Sequence, residues 1–173
     1  MIRYTNIDIE GTSVRYCTEK EIKRNITILD KYFTRPFGTP RGSIIVDRKM
    51  DLLKKWDYKT NSVEEIVMIS VFEHFSKQEA FHIVNEIKRV LQHGGKLIVD
   101  FPDIKKDISL YYDKNPEFLM ELIYCNHKNK YSVHHWGYTP STFRKLWGNG
   151  FIVEQKTIVK HAYPTIGMVV TKL

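Results

Sequence analysis

Between Asn61 and Asp103 the chain runs through an apolar segment, a capped amphipathic segment, a glycine pair and a second apolar segment, and this succession constrains the fold more than any other feature. Glu65 to Ser70 is short and nearly continuously apolar, the pattern of a parallel strand covered on both faces. Ser76 followed by Glu79 forms a capping box, so a helix is predicted to start there. Ala80, Ile83, Val84, Ile87 and Leu91 recur at helical spacing on one face, with Lys77, Glu86, Lys88 and Arg89 on the other. Gly94 can close the helix in the left-handed conformation, and Gly95 turns the chain into a strand over Lys96 to Phe101. The unit is β-α-β with a right-handed crossover. Polar residues gather at the carboxyl ends of its strands, where open α/β sheets place ligand sites.

The flanking sequence divides by the same signals. Ile2 to Ile9 reads as a strand, and Thr18 with Glu21 caps a helix carrying Ile22, Ile26, Leu29 and Phe33. Arg35 to Gly42 is a loop by its prolines and glycines, followed by a short strand over Ser43 to Asp47. Asn115-Pro116 and Thr139-Pro140 each read as the cap and first residue of a helix. The first is predicted to bury Phe118, Leu119, Leu122 and Ile123. The second carries Phe143, Leu146 and Trp147 and stops at Gly148 and Gly150. Phe151 to Val159 and Gly167 to Thr171 read as a closing antiparallel pair.

The 173 residues and 42% apolar content suit a single domain, 1–173, with a real core. Arg3, Asn6, Asp8 and Glu10 stand where a signal peptide would be apolar, and no stretch reaches membrane-span length, so a soluble, cytoplasmic protein without membrane contact is expected. Cys17 and Cys125 lack the spacing of a zinc or redox pair. The net charge of +7 allows nucleic-acid binding. The basic residues are scattered in doublets such as Lys23-Arg24 and Lys54-Lys55, which suits a solvated surface better than a polyanion-binding face.

Asn61-Ser62-Val63-Glu64-Glu65-Ile66, Val71-Phe72-Glu73-His74-Phe75, Arg89-Val90-Leu91 with Gly94-Gly95-Lys96-Leu97, and Pro102-Asp103 stand in order in this chain. Together they resemble the central and later motifs of class I S-adenosylmethionine-dependent methyltransferases, in the small methyltransferase type 11-like branch often associated with sugar and cell-surface metabolism. Glu117-Phe118-Leu119-Met120 and His134-His135-Trp136-Gly137-Tyr138 echo the later pattern, so the likeness runs from about Ile44 to Phe151. It implies a Rossmann-like three-layer α/β sandwich, a mostly parallel sheet with an antiparallel C-terminal strand. It also implies methyl transfer from S-adenosylmethionine to a small acceptor, a sugar-derived one among them.

One element of that family is not legible. Its first strand leads into a G-x-G-type loop that lets the backbone approach the cofactor. Here Gly11 stands alone, and the G-x-G spacing at Gly148 to Gly150 falls at a late helix end. Two alignments stay open. Tyr4 to Ile9 is the family's second strand, with Asp8 as the acid on the cofactor ribose and the first strand absent. Or Ile2 to Ile9 is the first strand, Glu10 to Ser13 a degenerate loop, Thr18 to Phe33 the first helix, and Asp47 the ribose acid. The first strand lies in mid-sheet, so omitting it leaves backbone unpaired on two neighbours. A truncated product, a homo-oligomer or a complementing partner chain is equally open, as is a methyltransferase-like module that no longer binds the cofactor.

By the resemblance, Asp51 and the Leu52 amide meet the adenine, and Ser70, Val71 and Phe72 flank the sulfonium, to which an aromatic face is attractive. Phe72 as core and Asp51 as a surface carboxylate are the bland alternatives. His74 or His134 is the candidate to take the proton from an attacking hydroxyl or amine. Structural roles compete here too: Glu73 as a cap on the following helix, His74 as a backbone ligand. His134, His135, Trp136 and Tyr138 form a second cluster on a loop that can cover the acceptor. Adjacent histidines with no carboxylate at ligand spacing assign no metal site. Tyr111-Tyr112 reads either as pocket lining or as helix-face packing.

Overall fold

The computed structural model describes residues 2–6, 13–17, 51–127, 132–158 and 161–173. Asp8, Asp47, Gly11 and the helix expected over Thr18 to Phe33 lie outside these residues, as do the loop at Arg35 to Gly42 and the strand at Ser43 to Asp47. The described elements are β1 (Ile2–Asn6), β2 (Ser13–Cys17), β3 (Val63–Ile69), a 3-10 turn (Phe72–His74), α1 (Lys77–Val90), β4 (Leu91–Pro102), α2 (Ile104–Tyr111), α3 (Pro116–Tyr124), α4 (Pro140–Arg144), β5 (Phe151–Gln155) and β6 (Thr165–Lys172). They form one sheet in the order β2-β1-β3-β4-β6-β5.

The β-α-β unit stands where the pattern placed it. Ser76 accepts from the Glu79 amide, and Glu79 reaches back to the Ser76 amide at 2.8 Å, closing the capping box of α1. Ala80, Ile83, Val84 and Ile87 are buried against Ile66, Met68, Leu97 and Val99. Those four strand residues alternate along β3 and β4, so they share one face. Burial of each larger aliphatic side chain contributes about 1.5–3 kcal/mol. Val67 and Ile69 face the other way, also buried, and pack with Ile98 and Ile158.

Several expectations change. Parallel pairing is confined to β1–β3 and β3–β4, whereas β1–β2, β4–β6 and β5–β6 are antiparallel, so among the described residues the sheet is mixed and parallel only at its centre. In β1–β2 and β5–β6 a short connection returns the chain alongside the strand it has just left, and β6 then sits between β5 and β4. The first strand is described over Ile2–Asn6, the expected remainder to Ile9 lying outside the described residues, and Ser13–Cys17 pairs with it as a strand the sequence reading did not anticipate. β1 is interior, parallel to β3, with Thr5 opposite Ile66.

Gly94 does take a positive φ of 76°, but not as the helix cap. α1 ends at Val90, and the glycine pair instead forms an irregularity in β4, where the register jumps from Val63↔Leu91 to Glu65↔Lys96. A side chain on Gly95 would meet the Gln92 carbonyl at 2.8 Å and the Glu64 carbonyl at 3.0 Å. The polar face of α1 is also less exposed than its charges suggest. Glu86 is buried and accepts from the Trp56 amide at 2.7 Å and from Arg89 at 2.6 Å. Arg89 donates in turn to the Tyr58 and Trp56 carbonyls.

The C-terminal half follows its caps. Asn115 and Thr139 cap α3 and α4, with Leu119, Leu122 and Phe143 buried. α4 stops at Arg144, so Trp147 is buried from a turn that Gly148, at φ 75°, closes. α2, capped by Asp103, was not anticipated. Tyr111 packs edge-on against Phe118 at 5.1 Å, joining α2 to α3, while Tyr112 is exposed. The last two strands pair antiparallel as expected, β5 stopping at Gln155 rather than Val159. No described helix is long and apolar enough to cross a membrane.

Candidate functional site

Since β1, β3 and β4 are parallel, their carboxyl ends emerge at one edge of the sheet. Ile69 is opposite Asp100 in the register, and the chain leaves β3 through Ser70 at φ 52°. That left-handed value is uncommon for a residue with a side chain and is a typical accompaniment of functional sites. Here the Ser70 amide donates to Asp100 Oδ1 at 2.8 Å. Asp100 is wholly buried, and its Oδ2 meets His161 Nε2 at 2.6 Å. Ser70 Oγ lies 3.5 Å from the Tyr163 hydroxyl, whose pKa burial pushes up to about 12. The β5–β6 connection thus folds over the ends of β3 and β4. His161 and Tyr163 were not singled out from sequence, since they lie in the connection between the two closing strands.

The 3-10 turn that follows carries Glu73 and His74. Glu73 does not cap α1, because Ser76 holds that position. Its side chain points inward, 2% exposed, and neither carboxylate oxygen has a hydrogen-bond partner among the described residues. Burial therefore holds its pKa well above the usual carboxylate range. The Glu73 carbonyl accepts from the His135 amide at 2.8 Å and the Trp136 amide at 3.2 Å, fastening the later loop onto the turn.

That fastening brings His74 and His134 together, with ring centroids 4.7 Å apart, edge to face. His74 Nδ1 lies 3.0 Å from the Val133 carbonyl, and His134 Nδ1 lies 2.9 Å from the Leu122 carbonyl. Burial lowers the His134 pKa, so its neutral form is favoured. Beside them lies a cavity of about 190 Å³, whose lining includes Glu73, Phe101, Leu122, His134, Trp136 and Tyr138. Its walls are largely apolar with a few inward polar groups, the usual make-up of a small-molecule pocket.

The remaining sequence candidates are dispersed. Asp51 is exposed; its Oδ1 accepts from the Leu53 amide at 3.0 Å, and its Oδ2 lies 3.7 Å from Lys54 Nζ. Leu52 is buried, and its carbonyl accepts from Trp56 Nε1. Val71 is buried, and Phe72 is wholly enclosed, meeting Tyr138 and Phe143 edge-on at 5.7 and 5.5 Å. A second buried carboxylate, Asp107 on α2, was missed by sequence reading. It too lacks a partner among the described residues, and burial, with Asp103 nearby, raises its pKa to about 7.

A family model described as "Methyltransferase domain" matches residues 1–99. No curated protein matches. Among solved structures, a SAM dependent methyltransferase from Archaeoglobus fulgidus is similar at a TM-score of 0.50 and 9% identity, covering 76% of this chain and 69% of that one. Magnesium protoporphyrin IX methyltransferase from Synechocystis, with bound SAH, gives 0.48 and 14%, covering 72% and 49%. A chain of a methyltransferase activator complex from Haloferax volcanii gives 0.46 and 14%, covering 69% and 58%. This chain spans less than two thirds of the last two.

Proposed function

Because this chain belongs to the methyltransferase domain family, we propose that it transfers a methyl group from S-adenosylmethionine to a small acceptor bearing a hydroxyl or amine, a sugar-derived one being the acceptor class tested first. The observation that carries this reading is the meeting of Ser70 and Asp100 at the carboxyl ends of adjacent parallel strands, with the Ser70 amide 2.8 Å from Asp100 Oδ1 and the next residues of β4, Phe101 and Pro102, lining the cavity. The sulfonium cofactor supplies an electrophilic methyl whose transfer leaves a neutral thioether.

The chain's own residues have the following proposed roles. β1, interior and parallel to β3, takes the place of the family's first strand. In that alignment Asp47 receives the ribose hydroxyls, a role that passes to Asp8 only where this strand is the family's second, and Asp51 with the Leu52 amide receives the adenine. Ser70 faces the sulfonium, with Val71 and the wholly buried Phe72 packed behind it as support. His134, which lines the cavity, or His74 beside it, accepts the proton that the acceptor loses. Methyl transfer is an in-line displacement in which positioning supplies much of the acceleration, so the reading needs no elaborate catalytic triad.

Calorimetric titration of the folded full-length chain with S-adenosylmethionine and S-adenosylhomocysteine tests the reading. Saturable heat supports it. No heat at high protein concentration overturns it in favour of the second reading, a methyltransferase-like module without cofactor, which the lone Gly11 favours. Nucleic-acid binding, the third reading, requires a steep fall in affinity with salt, and the absence of any shift of DNA or RNA at low salt removes it.

A further inference from the structure

Glu73, His74 and His134 lie far apart in function if each is taken alone: a buried acid, a turn residue and a loop residue. The fold places one ligand-capable atom from each within 4.8 Å of the other two. We propose that these three side chains form a binding site for a divalent first-row transition metal ion, of which zinc and cobalt are suitable probes. Two imidazoles and one carboxylate are the donor set such ions accept.

Two independent observations support the site. The first is the state of Glu73. Its carboxylate is almost completely buried, and neither oxygen is hydrogen-bonded among the described residues. Native proteins rarely leave a buried acid in that condition, and those that remain call for a ligand, an ion or a catalytic role. The second is the orientation of the imidazoles. Each Nδ1 meets a backbone carbonyl, of Val133 for His74 and of Leu122 for His134. A carbonyl oxygen only accepts, so each Nδ1 carries the proton and each Nε2 carries the lone pair. Backbone carbonyls behind the rings of metal-binding histidines fix the tautomer in this way and raise ligand basicity.

The spacing is close to what an ion needs. Ligand atoms about 2.1 Å from a tetrahedral ion lie about 3.4 Å from one another, so side chains whose ligand atoms lie within 4.8 Å must close by at most about 1.4 Å. The backbone already holds them in place, because the Glu73 carbonyl bonds the amides of His135 and Trp136, adjacent to His134. Glu73 and His134 also line the cavity, so a molecule that enters it meets the ion directly. An imidazole that binds the ion through Nε2 cannot also take the acceptor's proton, so this is an alternative use of the two histidines, and it stands whether or not the chain binds a methyl donor.

The test is titration of the metal-free full chain with Co²⁺, read by its visible absorption bands, and with Zn²⁺, read by calorimetry, both without any methyl donor. One ion per chain is expected, with affinity falling about 100-fold in Glu73→Gln and in His134→Ala. Circular dichroism and urea midpoints establish that the variants are folded. His93→Ala, at an exposed histidine on the opposite end of β4, should bind as the parent does. If the parent shows no cobalt bands and no zinc heat, or if E73Q and H134A bind as tightly as it does, the site does not exist. Because no cofactor is present, this result is separate from the outcome of the S-adenosylmethionine titration.

Discussion

Two regions of this molecule bury carboxylates, and they treat them in opposite ways. At the far end of α1, Glu86 is fully engaged: Arg89 grips it through two nitrogens, the Trp56 amide donates to it, and Arg89 continues to the carbonyls of Trp56 and Tyr58. The hydrogen bonds from Arg89 hold its pKa below the usual value. At the carboxyl ends of β3 and β4, Asp100 is held by the Ser70 amide and His161, but its neighbours Glu73 and Asp107 are buried with no partner among the described residues, and their pKa values rise. The first corner fastens the 56–58 segment to the helix and is structural. The second stores unfavourable free energy beside a cavity, as functional sites do.

Breaking the paired corner should have the largest effect. Arg89→Leu leaves Glu86 charged and buried and strands two carbonyls, so a loss of about 3 kcal/mol is expected. Urea denaturation with an unchanged slope measures it. A loss below about 1 kcal/mol would mean that the corner is solvated in solution and that the contrast between the regions is false. The pH dependence has a definite sign. Glu86 is depressed, so its contribution is complete above the ordinary carboxylate pKa and disappears as pH falls through its lower folded value.

Asp107 should behave in the reverse sense. Its folded pKa is about 7 against an ordinary 3.8, so below 3.8 the acid is protonated in both states and imposes no penalty. As pH rises from 3.8 through 7 the unfolded chain releases the proton first, and stability is lost. Asp107→Asn removes this term, so the variant should be on the order of 2 kcal/mol more stable than the parent at pH 8 and equal to it below pH 4. Asp103, capping α2, and Tyr163 are the ionisable groups facing it, and neither changes this sign. A stability gain that does not vary with pH would show that Asp107 is solvated or partnered.

The same contrast separates what was legible in the sequence from what was not. β3, α1 and β4 could be read because strand burial, helical period and the Ser76–Glu79 box are local signals, complete within a few residues. The antiparallel pair at the β5–β6 edge was legible, but that at the β2 edge was not, since an expected helix at Thr18 gave no sign that Ser13–Cys17 would turn back on β1. His74 and His134 were each singled out, but their meeting depends on the Glu73 carbonyl holding the later loop, a backbone contact with no residue signature. Glu73 was read as a cap because capping is what an acid near a helix start most often does. Only the tertiary fold shows that Ser76 already fills that place. Glu86 and Arg89 looked like a solvated face for a similar reason, their partners at Trp56 and Tyr58 lying in a different stretch of chain.

The smallest effect tests whether the two regions are independent. Ser76 stands between them, directly after the turn that carries Glu73 and His74 and at the first turn of α1. Ser76→Ala removes the cap on the Glu79 amide and should cost about 1 kcal/mol, with faster hydrogen exchange confined to that first turn. His74 is held from the other side by the Val133 carbonyl, so the arrangement at the strand ends should survive, and affinity for S-adenosylhomocysteine or for Co²⁺ should change by no more than about twofold. A larger change in ligand affinity at the same small stability cost would show that the capping box positions the 3-10 turn as well as starting the helix. The unpartnered acid and the paired corner would then be two ends of one mechanical unit.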